Sequence, residues 1–369
     1  MSKEQRFLGF CAEEAEADTT ESIQQALGFK VRRVDTSTLP APMSFWKQNP
    51  CSPTWKGFAE SWLRNLPPRL IETHPAQMRL SSERTAFRYS PRRATNEDLR
   101  LLPEFWTRWY SSQKTRCIVP LTHIQTMHSA GKWEIWIVLK DTGELLGTVI
   151  RRWVKGVYME GVRWEKAGII DYFCVHPAYR KRGIGRDLLA ILHNSTPRPF
   201  PPNLMLWEGV QASIPPIAMG MFLSRQCVPG LLKSSRAVTR VPESECKEAW
   251  ASLVAANKGD IGCWSEYSEG QGQGEVSIWK IGESPRCFVA IWDTFHYSVP
   301  DGLHIGIILL HSGKESLDAI AKTNLHGYGV LLVSGHLVLE GWSIDSPFQW
   351  IAYNTQIGFM RTKFPGLFL

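Results

Sequence analysis

Nowhere in these 369 residues does an uninterrupted apolar run approach the roughly 18 positions that a bilayer span needs. The beginning of the chain also lacks a basic stretch leading into an apolar one. Instead "CAEEAEADTTESIQ" is acidic and polar, so no secretory leader is expected and the chain reads as cytoplasmic, without a membrane span. The eight cysteines (Cys11, Cys51, Cys117, Cys174, Cys227, Cys246, Cys263 and Cys287) form no Cys-x-x-Cys pair, and the histidines do not cluster. That argues against both a zinc site and a disulfide framework, and for free thiols in a reducing compartment. No metal is expected.

A 43% hydrophobic content at this length allows a large core and fits two domains better than one. The net charge of +7 suits an anionic ligand, either nucleic acid or a small phosphorylated molecule. Sixteen tryptophans could suggest base stacking, but most sit in apolar stretches such as "KWEIWIVL", where core packing is the default. Nucleic acid is therefore not expected as a partner.

Residues 1–38 carry a small amphipathic pattern and read as an N-terminal extension. From Leu39 to Pro68 the chain is rich in proline and tryptophan, as befits an irregular segment laid over a surface. Thr95-x-x-Asp98 followed by helical spacing predicts a helix over Thr95–Ser112, and Asp141-Thr142-Gly143 predicts a hairpin within Trp133–Val154. A strand over Ala167–His176, a glycine turn and a helix over Gly185–Asn194 follow, and a further strand starts at Leu204. Polar Leu231–Glu245 reads as a crossing between domains. Beyond it come a helix (Ser244–Asn257), a hairpin (Glu275–Val299), a strand (Gly302–Ser312) and a helix, glycine break and strand over Lys314–Gly335, which repeats the earlier element order. The glycine-rich "EGQGQGE" lacks a preceding strand, a following helix and any basic residue, so it reads as a hairpin connection.

"IIDYFCVHPAYRKRGIG", Ile169–Gly185, carries the chemistry. An apolar strand ends at Val175-His176, Pro177 turns the chain, and Arg180-Lys181-Arg182-Gly183-Ile184-Gly185 leads into a helix. Glycines let backbone N–H groups approach an anion, the helix start adds partial positive charge, and three cations supply the rest. A pyrophosphate fits.

This stretch resembles the R/Q-x-x-G-x-G/A motif of the GNAT superfamily of N-acetyltransferases, which holds the pyrophosphate of an acyl-CoA. Moreover, Ile170–His176 is similar to the I-N-F-L-C-V-H strand of the N-myristoyltransferases, a double-GNAT family that moves a fatty acyl group from acyl-CoA onto an N-terminal glycine. "MSFWKQNP" (Met43–Pro50) looks like that family's Y-Q-F-W-x-T-Q-P segment, "RAVTRVPES" like its crossing between domains, "FQWIAYNTQ" like its Y-Y-L-Y-N-W strand, and "FPGLFL" like its apolar terminus.

The resemblance implies an α/β fold of two tandem GNAT-like domains, each with a mixed, mostly antiparallel central sheet flanked by helices. It places an acyl-CoA-binding domain over 39–235, with 39–68 wrapping the acyl-CoA, and a domain on the peptide side over 236–369. It implies backbone amides of Tyr172 and Phe173 as an oxyanion hole and the Leu369 terminal carboxylate as proton acceptor. Phe45, Trp46, Gln48, Cys174, Val175, Arg180, Lys181, Arg182, Gly183, Ile184 and Gly185 would contact the acyl-CoA, either myristoyl-CoA or acetyl-CoA, with a protein or peptide N-terminus as acceptor. Departures exist: the turn is R-K-R-G-I-G where the family has R-S-K-R-x-A-P, and only "VQASIPP" stands where its Y-T-A-G segment belongs. Two alternatives stay open: an acetyltransferase using Asp171, Glu160 or Glu165 as base, and a protein that keeps the architecture without activity.

Overall fold

A computed structural model describes residues 61, 64, 66–71, 75–80, 89–112, 114–198, 201–208, 217–227, 238–258, 262–267, 275–282, 287–323, 326–335 and 341–357. The first half contains β1 (Arg69–Leu70), β2 (Tyr89–Arg93), α1 (Leu102–Trp109), β3 (Thr115–Cys117), α2 (Leu121–Ser129), β4 (Trp133–Lys140), β5 (Leu145–Met159), β6 (Val162–Val175), α3 (Ile184–Ser195), β7 (Asn203–Glu208) and β8 (Ala218–Gln226). The second contains β9 (Val238–Arg240), α4 (Glu243–Asn257), β10 (Cys263–Ser265), β11 (Val276–Ile281), β12 (Phe288–Ser298), β13 (His304–His311), α5 (Lys314–Ala321), β14 (Val330–Gly335), β15 (Ser343–Tyr353) and β16 (Thr355–Gln356).

The strands run β2-β4-β5-β6-β7-β15-β8-β14-β13-β12-β11-β9 across one sheet, with β10 added to β5 and β3 to β12. Pairing is antiparallel except at β6·β7 and β13·β14, which are parallel. Each parallel pair is bridged by a helix, α3 or α5, since parallel neighbours need a crossover. The two halves are thus mixed, mostly antiparallel sheets flanked by helices, as expected. They also interlock: β15 of the second half lies between β7 and β8 of the first, and β8 lies between β15 and β14 of the second. Short β3 and β10 repeat the exchange, each pairing with a long strand of the opposite half, β12 and β5 respectively.

Apolar alternation explains the layers. Inward residues of β4 (Trp133, Ile135 and Ile137) pack with Leu102, Trp106 and Ile124 of α1 and α2. On the other face α3 sets Ile184, Leu188 and Leu192 against Val149, Ile170 and Met205. Several elements differ from the sequence reading. The helix expected over Thr95–Ser112 is a 3-10 turn over Asp98–Leu101 followed by α1 over Leu102–Trp109, and β9 stands within the stretch read as a domain crossing. The predicted 133–154 hairpin continues, with β5 running to Met159 and β6 starting at Val162, because Glu160 and Gly161 both take positive φ (44° and 82°) and close a second turn. Helix α2 had no counterpart in the sequence reading. Among the described residues, no helix is long and apolar enough to cross a membrane, and no group of His, Cys, Asp or Glu could hold a metal ion.

Candidate active site

Strand β6 pairs with β7 only at Gly168, Ile169 and Ile170. Beyond that point Leu206 and Glu208 remain paired to β15, opposite Trp350 and Phe348, while Asp171–Val175 part from β7. The sheet forks. On the β5 side of the fork, the ladder slips between Thr148·Cys174 and Ile150·Asp171, leaving a bulge at Tyr172 and Phe173. Tyr172 takes φ 48°, a left-handed conformation that a bulky residue holds only when its surroundings impose it.

Strand alternation fixes where the amides point. His176 donates its N–H to Leu146 O of β5 at 2.9 Å. Val175 and Phe173, one and three positions earlier, therefore aim their N–H groups away from β5 and into the fork. Tyr172 behaves differently: its N–H is donated to Asp171 Oδ1 at 2.7 Å, and its carbonyl accepts from the Thr148 hydroxyl at 2.9 Å. Of the two amides expected to face a carbonyl oxygen, that of Tyr172 is thus already engaged.

The basic turn follows directly. Pro177–Tyr179 form one 3-10 turn, closed by Tyr179 N–H donating to His176 O at 2.9 Å and capped by Ala178 N–H donating to His176 Nδ1 at 3.2 Å. Arg180 Nε donates to Val175 O at 3.3 Å, so this side chain folds back over the end of β6. Lys181 (φ 64°) and Gly183 (φ 90°) then swing the chain into α3, with Gly183 at the N-cap. No side chain could sit at Gly185 unopposed, because a Cβ there would lie 3.2 Å from Phe173 Cζ. The first N–H groups of α3 have no intrahelical acceptor, and exposed Arg180, Lys181 and Arg182 surround them. This end of the fork can hold a phosphorylated group.

Behind the bulge lies a buried charged network. Asp171 Oδ1 also accepts from the Tyr110 hydroxyl at 2.9 Å, and Oδ2 pairs with Arg152 Nη2. Arg152 reaches across to Glu275, just before β11 in the second half, at 2.7 Å. Both are almost wholly buried, Arg152 at 5% and Glu275 at 3% exposure. Glu275 Oε1 accepts from Trp133 Nε1 at 3.0 Å and stands 3.4 Å from His123 Nε2, an ion-pair distance without hydrogen-bond geometry. Burial pushes the Glu275 carboxyl up, but Arg152 and His123 outweigh it and hold Glu275 below the usual carboxylate range. Burial likewise works against the Arg152 guanidinium, and its two carboxylate partners more than offset it.

The Tyr172 ring faces the same interior, 4.5 Å from Trp106, 5.1 Å from Tyr110 and 5.5 Å from Trp133. Burial pushes its phenol well up, so the ring is neutral. Burial also pushes the Cys174 thiol up to about 12, despite Arg180 nearby, so Cys174 is no thiolate at neutral pH. A small apolar cavity of about 30 Å³, room for at most a few waters, lies under α3 between Ile170, Leu192, Met205 and Ile351.

Structure therefore brings Tyr172, Phe173, Cys174, Val175 and Arg180–Gly185 into one fork and turn. Phe45, Trp46, Gln48 and Leu369 lie outside the described residues. Glu165 and Glu160 lie toward the far end of β6, Glu165 about 20 Å from Asp171 at the strand rise of roughly 3.3 Å per residue, too distant to serve this bulge. Arg152, Tyr110 and Glu275 were not singled out from sequence, since their partners lie 19 to 123 positions away.

Residues 99–193 match the family model for the Acetyltransferase (GNAT) family. No curated protein sequence matches the chain. Among solved structures, the fold is similar to that of Saccharomyces cerevisiae N-myristoyltransferase with bound myristoyl-CoA, at a TM-score of 0.60 and 8% identity, covering 86% of this chain and 89% of that one. A structure of that enzyme with myristoyl-CoA and inhibitors superposes with a TM-score of 0.62 at 9% identity, over 88% and 93% of the two chains. A third, with bound myristoyl-CoA, gives 0.60 at 10% identity over 89% and 99%. At such identities the likeness is one of fold.

Proposed function

We propose that this acyl-CoA N-acyltransferase of the GNAT type transfers a long acyl group, myristoyl, to the N-terminal glycine amine of a protein or peptide. The observation that carries the reading is the fork: Phe173 and Val175 amides facing the gap where β6 leaves β7, with the Arg180–Gly185 turn at its end. Acyl-CoA would lie along it, its pyrophosphate on the α3 start and its thioester carbonyl toward the Phe173 amide, which stabilises the oxygen as negative charge develops. The acceptor ammonium first gives one proton to a base; the freed amine nitrogen attacks the carbonyl carbon, the C–N bond forms and the C–S bond breaks. The second proton leaves the nitrogen for the departing thiolate, so CoA is released as the thiol. With Cys174 protonated, transfer is direct and passes through no acyl-cysteine.

The choice of a long chain is supported by the shared two-half architecture, since the similar structures hold bound myristoyl-CoA and the likeness covers 89% and 99% of their chains. One observation favours the acetyl alternative: Trp106, Tyr110 and Trp133 fill the interior behind Tyr172, and the cavity under α3 is too small for a fatty chain. Calorimetric titration decides between them. Each methylene removed from water contributes about 0.8 kcal/mol, so burial of only four makes myristoyl-CoA bind at least roughly a hundredfold tighter than acetyl-CoA. Equal affinity, or preference for acetyl-CoA, overturns the long-chain reading.

A further inference from the structure

The bulge that aims the fork's amides is held from the other half of the molecule. Tyr172 keeps its left-handed backbone while its N–H is donated to Asp171 Oδ1. That carboxylate is itself fixed on three sides, by the Tyr172 amide, the Tyr110 hydroxyl and Arg152. Arg152 would be a costly buried cation with one partner alone, and Glu275 provides the second. Glu275 is anchored in turn: its carbonyl accepts from Asp293 N–H at 2.6 Å, and its carboxylate takes Trp133 Nε1. A rigid chain of charge-assisted hydrogen bonds thus runs from the start of β11 to the β6 backbone.

We propose that Glu275 and Arg152 are positioning residues: they lock Asp171 against the Tyr172 N–H and so fix the bulge from which the Phe173 and Val175 amides face the fork. Asp171 is then a backbone clamp, engaged by three donors of which one is the Arg152 cation, and is not the proton acceptor. The second half contributes to the reaction through this chain as well as through its share of the sheet. The effect on rate rests on the acyl-transfer reading above; the effect on the Tyr172 amide does not.

Two readouts separate these. Hydrogen–deuterium exchange followed at the Tyr172 amide, with α3 as internal reference, should quicken roughly tenfold or more in Glu275→Gln and Asp171→Ala, and less in Asp171→Asn, whose amide oxygen still accepts one N–H. In acyl transfer, Glu275→Gln should lower kcat roughly tenfold to a hundredfold while the KM for acyl-CoA stays within about twofold. Its effect should largely vanish on the Asp171→Ala background, and Asp171→Asn should outperform Asp171→Ala. Should Glu275→Gln fail to fold, the two Asp171 variants and Tyr110→Phe, which removes a single hydroxyl, carry the comparison. Unchanged Tyr172 exchange across the variants, or a Glu275→Gln loss confined to KM or additive with Asp171→Ala, overturns the proposal. A wild-type chain inert toward every acyl-CoA overturns the activity reading alone, and the exchange measurement then decides the clamp by itself.

Discussion

Asp171 and Cys174 stand three positions apart on β6, and their surroundings assign them opposite characters. The carboxylate is gripped by an arginine, a phenol and a backbone amide. The thiol is buried at the edge of the core formed with Trp106, Ile150 and Tyr172, and burial pushes it up to about 12. Between pH 6 and 9, roughly, such a thiol stays protonated. Cys174→Ala should therefore keep kcat within about threefold, with no thiolate limb in the pH–rate profile. A burst of acyl-enzyme, or loss of activity in that variant, would contradict direct transfer. At the other end of the fork, Arg180→Ala and Arg182→Ala should each weaken acyl-CoA binding roughly fivefold to tenfold and flatten its salt dependence, as expected for solvent-exposed phosphate contacts. Titration at two ionic strengths checks this.

Element by element, local signals and long-range ones diverge. The Thr95-x-x-Asp98 signal is half realised: Asp98 Oδ2 accepts both the Thr95 N–H and hydroxyl at 2.7 Å, and the carboxylate takes both Arg92 Nη groups, but the Thr95 side chain caps no helical N–H and the turn that follows, Asp98–Leu101, is 3-10. Arg92 holds Asp98 down at about 2, against burial and with help from Thr95. A depressed carboxylate contributes stability above its unfolded value, near 3.9, and loses it as pH falls through the folded value. Asp98→Asn should thus remove stability at pH 7, about 1 kcal/mol once solvent screening at Arg92 is allowed for, and the difference from wild type should fade between about pH 4 and 2. Acid titration of thermal unfolding measures it. The helix, the 141–143 turn and the strand, turn and helix of the fork were all legible because each is written within one short window. Helix α2 was not: Pro120 starts it without a side-chain cap, and Leu121–Ser129 bury little beyond Ile124 and Met127. The Glu160–Gly161 turn was hidden because a glutamate there takes a glycine-like backbone. Glu275, read as the end of a polar connection, turns out to be an anchor; its partner Arg152 stands 123 positions away, and no local pattern encodes that pairing.

The whole molecule behaves as one interlocked body. The duplicated element order was visible in sequence, but the exchange of β8 and β15 depends on strand neighbours set by tertiary packing. Without β15, strand β7 would keep only β6, at Asn203–Met205, and would have no partner from Leu206 to Glu208, and β8 would lose its contact to the first half. Residues 1–235 produced alone should consequently fail to fold cooperatively, and co-production with 236–369 should restore a single unfolding transition. Circular dichroism melts of the separate and combined halves test this; a stable, cooperative 1–235 would refute the interlock.

The central claim is that the fork delivers an acyl group from CoA to an amine. Incubation of the protein with myristoyl-CoA and a peptide bearing a free N-terminal glycine, followed by mass spectrometry and a thiol assay, tests it most directly. The account predicts one amide formed on the terminal nitrogen for each CoA thiol released, with both lost together in Arg180→Ala/Arg182→Ala at low acyl-CoA. Neither amide nor thiol from myristoyl-CoA or acetyl-CoA would contradict it.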